Sequence, residues 1–146
     1  MSTIKDYLTT DHSRCDELFA AMEDIAHKDL PASKEVYLEF AGATERHFQM
    51  EEKVMFAEFE QKTGMTEGPT QMMRHEHVQM RNLISQMGDA IDAGDKDKFF
   101  SISETLMILL QQHNMKEEQM LYPMAQQHLS EESPRVVEMM ESLIIE

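Results

Sequence analysis

The sequence HFQMEE at residues 47–52 repeats its pattern as HNMKEE at residues 113–118, and both stretches read His-x-x-x-Glu-Glu. Four residues make about one helical turn, so the His and the first Glu of each stretch lie on one helix face, roughly 6 Å apart along the axis. A neutral imidazole and a carboxylate placed in this way form half of a metal site. Two such pairs on facing helices, joined by His residues from two further helices, would hold a pair of metal ions.

Apolar residues that recur at three- and four-residue steps around these stretches predict an all-α chain. Only 5 Gly and 4 Pro in 146 residues favour a few long helices. We predict a turn or two of helix over residues 3–8, then a helix over residues 11–28 that Thr10 caps, and helices over residues 31–62 and 69–93.

A fourth helix is predicted to start at Asp95, to carry an inner stripe that continues from Glu117 to Met120, and to kink or end at Pro123. A short final helix is predicted from Ser133 to the C-terminus. The fold class is therefore all-α, an up-down-up-down four-helix bundle with a short C-terminal helix, in one domain over residues 1–146.

In such a bundle the height of each His can be counted along its helix. Measured from the loops at one end, His12, His47, His77 and His113 lie 16, 16, 17 and 18 residues away, in that order. At a rise of about 1.5 Å per residue the four side chains fall within roughly 3 Å of one height. Each lies on an apolar stripe, with an acid about one turn further on in the second and fourth helices. The candidate metal ligands are His12, His47, Glu51, His77, His113 and Glu117.

A single His on an apolar face is more often an ordinary core residue than a ligand. Four in one layer, together with two carboxylates, would be desolvated with too few partners, so metal binding is the better interpretation of the set. We predict that His27, His75 and His128 are solvated, with an indirect supporting role left open for His75. Glu52 and Glu118 are predicted to be solvated partners of Lys or Arg.

The charge and cysteine content exclude other classes of function. Thirteen Lys+Arg against 28 Asp+Glu give a net charge of -15, which disfavours binding to nucleic acid or to anionic membranes. No apolar run resembles a signal peptide or a membrane span, and the single Cys15 suits a reducing compartment, so we expect a cytoplasmic protein.

Cys15 and most Met are predicted core residues. Residues 136–145 are expected either to close the bundle or to form a dimer contact, which leaves a monomer or a homodimer.

The candidate ligands form a nitrogen and oxygen set without thiolate. Six protein ligands are too many for one structural zinc ion, which takes four in a tetrahedron. Imidazole with carboxylate suits iron or manganese. Two carboxylates that bridge two metals, with two His on each, would leave coordination positions open for O2, NO or peroxide.

Around these residues the chain resembles the hemerythrin-like HHE cation-binding family, whose members are four-helix bundles with a non-haem di-iron site. The resemblance covers most of the chain and rests on Asp11-His12, His47-x-x-x-Glu51-Glu52, Val54-Met55-Phe56, Glu76-His77, His113-x-x-x-Glu117-Glu118 and Leu121-Tyr122-Pro123. It implies two iron ions with an oxo or hydroxo bridge, manganese or zinc being less favoured. Glu51 and Glu117 would bridge the irons, and the terminal ligands would be His12, His47, His77 and His113.

The chain departs from the oxygen-carrying members at two positions. Those members place a second His four residues from the first in the third helix, where this chain has Met73 and Arg81 on either side of His77. Their carboxylate follows the fourth-helix His by five residues, whereas the best-placed acid here is Glu117, four residues after His113. One ligand position is then left to water or to another side chain, which favours NO or peroxide chemistry, or iron handling, over reversible oxygen carriage.

Three functions stay open. The first is a binding protein whose di-iron site takes up O2 or NO for sensing or storage. The alternative is a di-iron enzyme that detoxifies peroxide or NO or repairs iron–sulfur clusters, as some relatives do, and whether the chain is an enzyme is undecided. In the third, the metal serves only stability.

Overall fold

The computed structural model describes residues 2–145, which are helical throughout their length apart from short loops and contain no strand. A turn of 3-10 helix at Pro31–Ser33 separates the first two long helices. The five helices are α1 (Ile4–Lys28), α2 (residues 34–63), α3 (Pro69–Ala93), α4 (residues 96–128) and α5 (Ser133–Glu141). The all-α prediction is confirmed. Among the described residues, no helix combines the length and the hydrophobicity that a membrane crossing requires.

Helix α1 begins seven residues earlier than predicted. Thr3 caps it with a side-chain oxygen that accepts a hydrogen bond from the backbone N–H of Asp6 at 3.0 Å. The prediction that Thr10 caps a helix from residue 11 was wrong. Ile4 and Leu8 are fully buried and continue the stripe that leads to the candidate ligand in α1, so packing extends the helix through the threonines.

The loops on either side of α3 confirm the predicted helix ends. Gly64 ends α2 with a φ of 76°, and Gly94 ends α3 with a φ of 67°, a left-handed conformation that Gly adopts without a steric penalty. The Asp95 carboxylate accepts a hydrogen bond from the N–H of Lys98 at 3.1 Å and so caps α4.

Helices α2 and α4 each contain a π-helical turn, at Glu51–Met55 and Glu117–Leu121. Each turn begins at the first Glu of a His-x-x-x-Glu-Glu stretch. Because a π-helical turn is closed by hydrogen bonds five residues apart, a side chain comes to lie below the one five positions earlier. The inner stripe of α4 therefore reaches Leu121, which is 2% exposed, and misses Met120, which is 58% exposed. The prediction that Met120 faces inward was wrong for this reason.

Helix α4 does not end at Pro123 but continues to His128. Pro123 stands in the first turn after the π-helical turn, where the regular hydrogen bonds are already interrupted and a missing N–H is tolerated. The proline therefore marks the place where the backbone changes its winding and not the place where the helix stops.

Helix α5 closes one end of the molecule. Val136 and Met140 are fully buried, whereas the helix ends at Glu141, short of the predicted C-terminus. The guanidinium of Arg46 donates hydrogen bonds to the carbonyl oxygens of Met140, Glu141 and Leu143 at 2.8–3.1 Å. These bonds satisfy carbonyl groups that a helix end leaves without partners.

Two apolar clusters lie on either side of a polar layer. Along α1, Leu8 belongs to one cluster and Phe19 to the other, and along α4 the same is true of Leu121 and Leu106. Helix α1 packs on α2, α3 packs on α4, and the last part of α4 packs on α1. The polar layer is the place where the candidate ligands meet.

Candidate metal centre

All six residues predicted as metal ligands lie in the interior, and none is more than 4% exposed. Their ligand atoms form two groups that share both carboxylates, and within each group one atom from each residue lies within 4.8 Å of the others. We call the first group site A, made of His12, His47, Glu51 and Glu117. We call the second group site B, made of His77, His113, Glu51 and Glu117. The structure thus brings the whole predicted set together in two halves.

Each imidazole is held from behind by a carboxylate on the preceding helix of a closed ring. The Nδ1–oxygen pairs are Asp11–His47 at 2.8 Å, Glu52–His77 at 2.6 Å, Glu76–His113 at 2.8 Å and Glu118–His12 at 2.8 Å. A carboxylate on Nδ1 fixes the orientation and the tautomer of the ring and leaves Nε2 as the ligand atom. Every Nε2 lies within 3.4 Å of an oxygen of one of the two shared carboxylates. The ring therefore aims all four nitrogens at the same space.

This ring corrects the prediction for the second acid of each stretch. Glu118 holds His12 and is not a solvated partner of Lys or Arg. Glu52 holds His77 and also accepts hydrogen bonds from Arg81 at 2.9 and 3.1 Å, so only the arginine contact was predicted correctly. Arg81, four residues after His77, lies outside the two sites and supports Glu52.

The remaining histidines and the cysteine stand apart from both sites. His27, His75 and His128 are exposed, as predicted. Cys15 is 8% exposed and lies in the core, also as predicted. None of these four residues belongs to either group of metal-ligating atoms in the described part of the chain.

Sequence analysis missed Tyr122, which is fully buried within site A. Its hydroxyl donates a hydrogen bond to Oε2 of Glu51 at 2.5 Å and lies 3.0 Å from Nε2 of His12. In a regular helix a residue five positions after Glu117 points about 140° away from it, so helical periodicity places Tyr122 outside the site. A signal was present nevertheless. Both His-x-x-x-Glu-Glu stretches are followed by an aromatic residue nine positions after the His, namely Phe56 and Tyr122.

The atoms of site B fit a metal ion. Four buried side-chain atoms of its residues make no well-directed hydrogen bond among residues 2–145, namely Oε1 of Glu51, Nε2 of His77, Nε2 of His113 and Oε2 of Glu117. Nε2 of His77 does lie 3.0 Å from Oε1 of Glu51, and Nε2 of His113 lies 3.2 Å from Oε1 of Glu117, so nitrogen and carboxylate face one another without hydrogen-bond geometry. Buried polar atoms nearly always have a partner in folded proteins. Two imidazole nitrogens and two carboxylate oxygens without a well-directed hydrogen bond are a donor set that first-row transition metals accept.

The model of the hemerythrin HHE cation binding domain matches residues 3–125, which contain all six candidate ligands and the four carboxylates of the ring. The chain belongs to this family. Searches of curated proteins and of solved structures find no significant match. In this hemerythrin HHE domain the buried cluster of His and Glu fits a site for the cation that the family description names.

Burial and charge act against each other in the metal-free HHE domain. Burial disfavours a charged imidazole, but the carboxylate of Glu117 outweighs it and raises the pKa of His113 to about 9. Burial likewise disfavours a charged carboxylate, yet the hydrogen bonds from His77 and Arg81 lower the pKa of Glu52 to about 2. For Tyr122, burial and the nearby carboxylates together hold the pKa of the phenol well above its usual range. Protons therefore take the place of cations in the metal-free centre, and metal binding would displace them.

The raised pKa of His113 makes the stability of the metal-free protein depend on pH. An unfolded His titrates near 6.5 and the folded one near 9, so the stabilisation is complete below pH 6.5 and is lost as the pH rises to about 9. We expect the free energy of unfolding to fall by about 3 kcal/mol across this window. Urea denaturation of the chelated protein within and on either side of the window measures it, and a flat or rising profile would contradict the expectation.

The Glu118→Ala variant is expected to weaken metal binding in site A without unfolding the helix. Glu118 holds Nδ1 of His12, and loss of such a supporting carboxylate lowers metal affinity by about 10–100-fold. Competition titration against a coloured chelator measures the change. Glu104→Ala, on an exposed turn of the same helix, is the matched control and should bind as the unmodified protein does. Equal affinities for the two variants would show that the ring does not orient the imidazole.

Proposed function

We propose that this HHE domain holds two iron ions, one in site A and one in site B, and that it binds O2 or NO reversibly for sensing or storage. The observation that carries the proposal is the pair of buried four-residue groups with Glu51 and Glu117 in common. The four His would divide two and two between the ions, and both carboxylates would bridge them. The four long helices would run up-down-up-down around this layer, in a single domain.

The donor set suits an octahedral first-row metal such as iron better than zinc. Neither group contains a thiolate, and six protein ligands shared by two ions leave fewer ligands for each than an octahedral metal takes. When bound, an iron pair with open coordination positions supplies electrons that a diatomic ligand can accept. The carboxylate ring keeps the four imidazoles in place while that ligand enters and leaves.

Aromatic rings pack against one imidazole of site B. The ring of Phe48 stacks on His77 with centroids 4.1 Å apart, and Phe56 lies on it at 5.8 Å. A cavity of about 70 Å³ between α3 and α4 is lined by Glu76, the partner of His113, but by none of the ligands of site B, so it is not a pocket for a ligand of the ion.

Elemental analysis of protein purified without chelators tests the metal content, with about two irons per chain expected. The His77→Ala variant should lose the ion of site B or bind it much more weakly. His75→Ala is the matched control, because His75 lies on the same helix two residues away and is exposed. Two irons per chain in His77→Ala, bound as tightly as in the control, would remove His77 from the ligand set.

Stopped-flow absorption spectra of the diferrous protein test the gas-binding function. Mixing with O2 or NO should produce a spectral change that reverses when the gas is removed. Rapid irreversible oxidation with turnover of peroxide would point to the enzyme instead. An unchanged spectrum with both gases would leave the metal with a structural role alone.

A further inference from the structure

Tyr122 lies among all four ligand atoms of site A. Its hydroxyl oxygen is 3.0 Å from Nε2 of His12, 3.2 Å from Nε2 of His47, 2.5 Å from Oε2 of Glu51 and 3.2 Å from Oε1 of Glu117. The side chain is fully buried, and its ring stacks on His12 with centroids 5.4 Å apart. A hydroxyl that served only as a donor to Glu51 would need one of these contacts and not four.

The four distances are those of neighbouring ligands on a single ion. With metal–ligand bonds of about 2.1 Å, adjacent ligand atoms of an octahedron lie roughly 3.0 Å apart. The hydroxyl of Tyr122 meets this separation to within about half an ångström toward each of the four ligand atoms of site A, and the contact with Glu51 is the shortest. It therefore occupies the place of a fifth ligand atom above the other four.

The π-helical turn of α4 is what puts the tyrosine there, and α2 offers an internal comparison. Tyr122 follows Glu117 by five residues across one π-helical turn, and Phe56 follows Glu51 by five residues across the other. Phe56 faces His77 with ring centroids 5.8 Å apart, much as Tyr122 faces His12. The two halves of the centre are thus built alike, but only the half that contains site A has a phenol oxygen at this position.

We propose that Tyr122 is a fifth protein ligand of the ion in site A and that the small ligand consequently binds at the ion in site B. This inference rests on the two-iron centre proposed above. Site A takes two imidazoles, one oxygen from each shared carboxylate and the phenolate oxygen, whereas site B has four protein ligands and Phe56. The phenol O–H bond breaks when the ion binds, its proton passes to solvent, and no electron is transferred.

Visible absorption and resonance Raman spectra of the ferric protein test the assignment. A phenolate on Fe(III) produces a charge-transfer band, and excitation in that band enhances the ring vibrations of the bound tyrosine. The chain has three tyrosines, so Tyr7→Phe and Tyr37→Phe are matched controls. At saturating iron we expect Tyr122→Phe to lose the band completely while both controls keep it. Iron content and circular dichroism are measured on every variant.

The Phe56→Tyr variant tests the position of the small ligand. It should place a second phenol oxygen beside site B and roughly double the charge-transfer intensity, and the band should return when this change is combined with Tyr122→Phe. Azide serves as the probe ligand. We expect azide to bind the unmodified protein and Tyr122→Phe, and to bind Phe56→Tyr at least about tenfold more weakly, a difference of about 1.4 kcal/mol.

The outcomes separate the tyrosine assignment from the proposed function. Two irons per chain with no phenolate band, or a band that survives in Tyr122→Phe, would overturn the assignment of Tyr122 and leave the two-iron centre standing. Unmodified protein that binds no iron would overturn the centre itself. Azide binding that is unchanged in Phe56→Tyr but altered in Tyr122→Phe would place the small ligand in site A and refute the asymmetry.

Discussion

The Glu51→Ala variant is expected to lose both metal ions at once. Glu51 is fully buried, its Oε2 lies beside Tyr122 and His47, and its Oε1 lies 3.0 Å from Nε2 of His77. One substitution therefore removes a charged ligand atom from each site. Loss of a supporting carboxylate alone lowers metal affinity by about 10–100-fold, so the loss of a shared ligand should exceed 100-fold. Elemental analysis should find less than about one-tenth of the unmodified metal content.

The control for this variant is Glu58→Ala. Glu58 lies seven residues later in the same helix and pairs with Arg135 at the surface, 2.9 Å away. The Glu58→Ala variant should keep its full metal content. Circular dichroism of the metal-free Glu51→Ala and Glu58→Ala variants should show the same helical content. Retention of one ion by Glu51→Ala would show that the carboxylate belongs to one site only, which contradicts the shared arrangement.

Removal of the metal is expected to lower the melting temperature by about 10–20 °C. Four imidazoles and two carboxylates lie in the core at no more than 4% exposure, and a cation is the partner that their unsatisfied atoms lack. An ion present at about 100 times its dissociation constant stabilises the folded state by roughly 2.7 kcal/mol per site. Two sites add about 5 kcal/mol, and each kcal/mol shifts the melting temperature of a chain of this size by about 2–4 °C.

Calorimetry before and after treatment with a chelator under reducing conditions measures this shift. Glu51→Ala, treated in the same way, is the control and should show no shift because it holds no metal to lose. The loaded protein should also gain stability with rising pH as its ligands lose protons, opposite to the metal-free protein. An unchanged melting temperature in the unmodified protein would show that the cluster is stable without a cation.

Much of the fold was predictable because local chemistry decides it. Gly64, Gly94 and Asp95 mark helix boundaries through their own backbone and side-chain preferences, and the structure places the boundaries there. The convergence of the ligands was also predictable, since the rise of a helix is constant and the loops are short. His12 and His113 lie at nearly equal numbers of residues from loops at the same end of the bundle, and this alone predicts that they share one layer.

The elements that prediction missed depend on contacts between helices. The extension of α1 to Ile4 is stabilised by burial against residues far along the chain, which overrides the threonines at positions 9 and 10. The π-helical turns both begin at the first Glu of a His-x-x-x-Glu-Glu stretch, but helical periodicity alone does not predict them, because it assumes one winding along the whole helix. The inward position of Tyr122 and the outward position of Met120 both follow from one such turn.

The sequence by itself determined the all-helical class, the His-x-x-x-Glu-Glu pairs and the single layer in which four imidazoles and two carboxylates meet. These features depend on the period and rise of a helix, which any stretch of chain carries with it. Only the tertiary structure decided that carboxylates from neighbouring helices hold the back of every imidazole, and that a phenol enters one half of the centre but not the other. Both depend on which helices are neighbours and on how the π-helical turns rotate their side chains, and these are properties of the packed molecule.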